Sequence, residues 1–142
     1  MNPQEIVEIL NANNSFESIV GLNNLFIEWV ISHAEPQNVP SKVSVDQGTF
    51  SVAGFGFTAK AVPRAIRLTP GAFAMEFVFL VDSENEEIEV SRFYLTEVGK
   101  LVADATNLNS TLTDYNNMYI AKFICGRVLQ GILKSKILAA RS

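Results

Sequence analysis

The sequence predicts an α+β domain: one or two N-terminal helices, an antiparallel β-meander of about five or six curved strands, and a long C-terminal helix packed on the sheet. Three observations predict it. From Lys42 to about Ala103 apolar residues alternate in strand fashion. Turn residues fall between those runs. A long apolar stretch flanks the strands on each side, one ending near His33 and one beginning near Thr111. At 142 residues, positions 1–142 form one domain with room for a real core.

The N-terminus carries helix-start chemistry. Asn2 caps, Pro3 fits the first helical position and Glu5 stands three residues after the cap. Ile6, Ile9 and Leu10 form a stripe, and Asn11 to Asn14 should stop the helix by competing for backbone hydrogen bonds. From Ser15 to His33, Leu22, Leu25, Phe26, Trp29 and Val30 recur at helical spacing. Leu25, Ile27, Trp29 and Ile31 also alternate, but the segment's length favours helix. Such a helix is apolar nearly all round, so it is sandwiched or lies at an interface. Pro36 and Pro40 bound the linker to the first strand.

Val43 and Val45 open the first strand, and Asp46-Gln47-Gly48 suits a three-residue hairpin loop. In the next run Phe50 and Val52 share one parity, while Phe55, Phe57, Ala59 and Ala61 share the other. A β-bulge at Ala53-Gly54 would keep every aromatic on the core face. Pro63 ends that strand. Ala65–Leu68 is short, and Thr69-Pro70-Gly71-Ala72 suits a type II turn. Phe73, Met75, Phe77, Phe79 and Val81 give the cleanest alternation, and the partly apolar opposite parity marks a central strand. After the acidic loop from Asp82 to Glu87, alternation resumes with Ile88 and Val90. It flips near Ser91-Arg92, where a second bulge fits. Glu97 to Lys100 is a turn, Leu101–Ala103 a short strand or helix start, and Asn107 to Ser110 a loop. Thr111 and Asp114 have capping-box spacing, and a helix should run from there to about Ala139.

Composition narrows function. Apolar residues make up 48% and charged residues 18%, below the roughly 25% usual for soluble domains. The surplus points to an oligomer interface, a partner groove or a ligand cavity. A net charge of −4 speaks against general nucleic-acid binding. Charges interrupt the longest apolar runs, so no membrane span is expected. A single cysteine, Cys125, permits no internal disulfide and suits a reducing, cytoplasmic setting.

Candidate chemistry is sparse, and no cofactor or metal is expected. His33 stands alone without an identifiable orienting partner, so a surface or cap role is expected. Cys125, inside an apolar helix, reads as a buried inert thiol. Asp82, Glu84, Glu86 and Glu87 lack the spacing of a calcium loop and read as a solvated hairpin tip or a docking surface for a basic partner. Gly54-Phe55-Gly56 lacks the groups that a phosphate loop requires. Arg64 and Arg67 flank a short strand, as edge charges or as an anion clamp. In the C-terminal helix every charge after Asp114 is basic: Lys122, Arg127, Lys134, Lys136 and Arg141. Met118, Ala121, Ile124, Cys125, Val128, Leu129 and Ile132 make a core stripe, and Tyr115, Tyr119 and Phe123, four apart, an aromatic row beside it.

The expected function is therefore non-catalytic: an adaptor-like, chaperone-like or immunity-like protein that binds another protein and forms a homodimer. Asp82, Glu84, Glu86, Glu87, Tyr115, Tyr119 and Phe123 would make the contact. The alternative is a binder of small apolar ligands, with Phe50, Phe55, Phe57, Phe73, Phe77 and Phe79 lining a cavity and Arg64 and Arg67 beside it.

Overall fold

The structure, a computed structural model, describes residues 1–35, 38–69 and 71–139. One long helix, α1 (Pro3–Ser32), is followed by seven strands: β1 (Val43–Asp46), β2 (Thr49–Gly54), β3 (Phe57–Ala61), β4 (Arg64–Thr69), β5 (Ala72–Ser83), β6 (Glu86–Leu95) and β7 (Lys100–Val102). A 3-10 turn (Leu108–Ser110), an eighth strand β8 (Thr111–Asp114) and helix α2 (Ile120–Lys134) come next. The fold is α+β as expected: a curled antiparallel sheet with an N-terminal and a C-terminal helix on it. It has eight strands where five or six were expected.

Order along the sheet is β1-β2-β3-β5-β6-β7-β8, with β4 also pairing β5. The donor-less Pro63 separates β3 from β4, so both can line up along the long β5. Both helices cover one face: α1 touches β1, β4 and β5, and α2 touches β1, β2 and β6. The core lies between the helices and the sheet. Phe77 stacks on Phe93 at 4.9 Å between ring centroids and meets Phe26 and Phe50 edge-on at 5.4 and 5.2 Å. All four rings are fully buried.

Three local expectations are corrected. Asn11 to Asn14 do not stop α1, which continues through them for 30 residues. Propagating an existing helix costs little per residue, and Asn13 turns its amide outward onto Glu17 at 3.4 Å. The parity flip at Ala53-Gly54 is not a bulge. Pairing is one-to-one from Phe50↔Ala61 to Gly54↔Phe57, and Phe55-Gly56 form a two-residue hairpin turn with φ of 54° and 83°. The first hairpin is tighter than expected too: Asp46 pairs Thr49 across Gln47-Gly48, with φ of 50° and 79°. The second bulge is real. Register slips between Phe79↔Ser91 and Leu80↔Glu89, leaving Val90 as the extra residue.

The C-terminal helix starts later than its capping-box pattern suggested. Thr111–Asp114 pairs with β7 instead, because a sheet edge was available to satisfy its backbone. Helix α2 also ends at Lys134, short of the expected Ala139, and so has 15 residues. Its stripe from Ala121 to Ile132 is buried as expected, but Met118 precedes the helix and is 68% exposed. The Pro36 end of the linker, the Pro70 turn position and Arg141 lie outside the described residues.

Candidate interaction surfaces

The acidic hairpin tip is divided between two sides of the sheet. Glu84-Asn85 form its turn, with φ of 52° and 65°. Asp82 pairs with Glu87 in register, and both edge a groove on the uncovered face. Glu86 points to the other side, where it bridges to Lys136 just past α2 at 2.6 Å. Alternation puts neighbouring strand residues on opposite faces, so these carboxylates do not form one cluster.

The aromatic row is also dispersed. Tyr115 lies before α2, half-buried, its N–H donating to Gly99 O at 2.9 Å. Phe123 packs edge-on against Phe93 at 5.9 Å and beneath the guanidinium of Arg127. Of the three, only Tyr119, at the helix start, is presented to solvent, at 51% exposure.

Residues proposed for a ligand cavity fall into four places. Phe50, Phe77 and Phe79 lie within the ring cluster. Phe55 is exposed in its turn, and Phe73 meets Phe16 of α1 at 5.6 Å. Phe57 borders the groove on the uncovered face. That groove encloses about 600 Å³ above β3 and β5, with Val78 and Leu80 on its floor and Lys60 and Arg64 beside them. Arg64 and Arg67 do not make a clamp. Three residues apart on a strand, they face opposite ways, opposite Glu76 and Phe73 respectively.

An ion network that the sequence did not disclose crosses the uncovered face. The Glu76 side chain, 11% exposed, lies 3.0 Å from Arg64 and 3.5 Å from Arg92. Arg92 also donates to Glu89 and to Tyr94 Oη, and these hydrogen bonds raise its pKa above the usual arginine value. Its members come from three strands, and only cross-strand register brings them together.

The lone histidine and cysteine do structural work. His33 caps α1, its ring stacked on Trp29 at 3.9 Å with Nδ1 3.0 Å from Trp29 O. Cys125 is buried. Burial pushes its thiol up to about 11, against hydrogen bonds from the Val43 backbone and Ser41 that favour the thiolate. Among the described residues, no three His, Cys, Asp or Glu side chains converge as metal ligands. No helix among them is long and apolar enough to cross a membrane.

Four exposed apolar side chains gather on the first part of α1, an arm that sequence reasoning treated as a separate small helix. Ser15 is the first buried residue of α1. Before it, Ile6, Val7, Ile9 and Leu10 are 45%, 54%, 54% and 57% exposed. A latch marks where the arm leaves the sheet: Ser15 Oγ donates to Glu97 at 2.7 Å and accepts the Phe73 N–H at 3.1 Å. The signal was present in the sequence, since these four residues spread over more surface than one core stripe uses. No protein-family model, curated protein or solved structure matches this chain.

Proposed function

We propose that this chain is a non-catalytic protein-binding protein and that the N-terminal arm of α1 is its docking element. One observation carries this reading: four large apolar side chains stand about half exposed on a helical segment with no buried residue of its own. Soluble proteins keep such patches small unless something covers them. Burying the exposed part of these residues is worth roughly 1 kcal/mol each. A sum of about 4 kcal/mol only begins to offset the cost of association, so further contacts must join the arm. On the uncovered face Glu76 is engaged by Arg64 and Arg92 in cross-strand pairs, which suits a scaffold. The one cysteine needs no oxidising compartment, and we assign the chain to the cytoplasm.

The test is a photo-crosslinking residue at Val7, with one at Thr58 on the uncovered face as control. Irradiation in cells should yield a discrete protein adduct from position 7. If position 7 gives no more adduct than position 58, the arm is not a docking element.

A further inference from the structure

We propose that the occupant of this arm is a second copy of the chain, each arm lying along the outer face of the other copy's α2. The inference rests on the docking reading and names its partner. Pairing of two arms is disfavoured by charge. Between Pro3 and Glu17 the charged side chains are Glu5, Glu8 and Glu17, all acidic. Like charges brought together as a patch is desolvated oppose association.

The outer face of α2 has the opposite sign. The charged side chains of α2 are Lys122, Arg127 and Lys134, all basic. Tyr119, Lys122, Gly126, Gln130 and Leu133 follow one another at three- or four-residue spacing and so share one side of the helix. Tyr119 and Leu133 are more than half exposed, and Lys122 and Lys134 have no ion pair among the described residues. The stripe is thus apolar at each end, with Lys122 on it and Lys134 next to its last residue.

Gly126, in the middle of this stripe, has no use within one chain. A methyl group placed there would meet nothing within 4 Å, although glycine is a poor helix former. The other glycine of α2 is explained: at Gly131 the same methyl would stand 1.7 Å from the Val90 carbonyl oxygen. An outward-facing glycine does allow another helix to approach closely.

Lengths and polarity agree. The arm from Pro3 to Asn14 spans about 18 Å and the stripe from Tyr119 to Leu133 about 22 Å, at about 1.5 Å per residue. Antiparallel packing sets Glu5 beside Lys134 and Glu17, on the same side of α1 as Ile6 and Leu10, toward Lys122. In a twofold pair each copy gives one arm and receives one, so every contact occurs twice for a single association.

Sedimentation at tens of micromolar in low salt tests this on the full chain. Wild type should be a dimer. Glu5→Lys/Glu17→Lys and Lys122→Glu/Lys134→Glu should each weaken it at least tenfold. An equimolar mixture of these two variants should form a heterodimer, because each arm then meets a stripe of opposite charge. All four positions are exposed, and unchanged circular dichroism confirms folding. A monomeric wild type, or a dimer indifferent to the α2 changes, overturns the proposal. So does a mixture that stays monomeric. If Val7 then crosslinks only to a different protein, the second copy is wrong and the docking reading stands. If Val7 crosslinks to nothing, both fail.

Discussion

Gly131 lets α2 close on the sheet, because its missing side chain makes room for the bulged carbonyl of Val90. The neighbouring contact keeps the helix in register: Arg127 Nη2 donates to Arg92 O at 3.1 Å. Gly131→Ala must push helix from strand and should cost about 3 kcal/mol in a urea melt. Gly54→Ala faces a softer obstacle. Its methyl would meet the Leu129 side chain at 2.2 Å, and a rotamer change can relieve that, so a cost of about 1 kcal/mol is expected. Space, not a left-handed backbone, makes Gly54 necessary. Cys125 supplies a pH test. Its folded thiol titrates near 11, above its ordinary value of 9.0. The folded state therefore binds the proton more tightly, and that stability is complete below pH 9 and lost as pH rises through 11. The stability difference between wild type and Cys125→Ala should shrink over that window in denaturant melts. A difference independent of pH would show that the thiol is solvated.

Helix α1 behaves as two elements joined without a break. Beyond Ser15 it buries Ile19, Phe26 and Val30, and Trp29 Nε1 anchors its far end on Asn117 O at 2.8 Å. Before Ser15 the Gly71 turn passes close to Asn11 and Ala12, and the rest relies on its own hydrogen bonds and on the Asn2 cap, which accepts from the Glu5 N–H at 2.8 Å. Ser15→Ala should thus lower stability by about 1–3 kcal/mol, since it leaves the Phe73 N–H without its acceptor. Ile6→Glu/Leu10→Glu should change monomer stability by less than about 0.5 kcal/mol. Measured together by thermal melts at low concentration, the two variants separate anchored helix from free arm. Equal losses would mean the arm is part of the fold.

At the scale of the molecule, both helices share one sheet face, and the other carries an apolar groove bordered by charged side chains. The acidic tip belongs to this balance. Neutralising Asp82, Glu84, Glu86 and Glu87 together takes the net charge from −4 to 0. Melting should move by less than about 1 kcal/mol, because the exposed Glu86–Lys136 bridge is worth little and relief of repulsion offsets its loss. Association with a basic partner should slow in low salt and converge with wild type as salt rises. A wild-type rate in low salt would leave the tip no role in steering.

Wherever period and turn chemistry act locally, the amino-acid sequence determined the structure. Alternation from Phe73 to Val81 specified the central strand, Asn2-Pro3 the start of α1, and the apolar stripe from Ala121 to Ile132 the buried side of α2. Parity marked Ala53-Gly54 and Ser91-Arg92, each beside the true irregularity at Phe55-Gly56 or Val90, but parity does not distinguish a bulge from a two-residue turn, since both reverse the facing of the residues after them. Only tertiary structure decided the rest. Thr111–Asp114 became a strand because β7 offered it an edge, and Glu76 gained two arginines because register aligned three strands. The arm was left bare because the sheet beneath α1 supplies no buried contact before Ser15. Each of these depends on partners distant in the chain, and hydrophobic period reports which side of an element is apolar, not what will cover it.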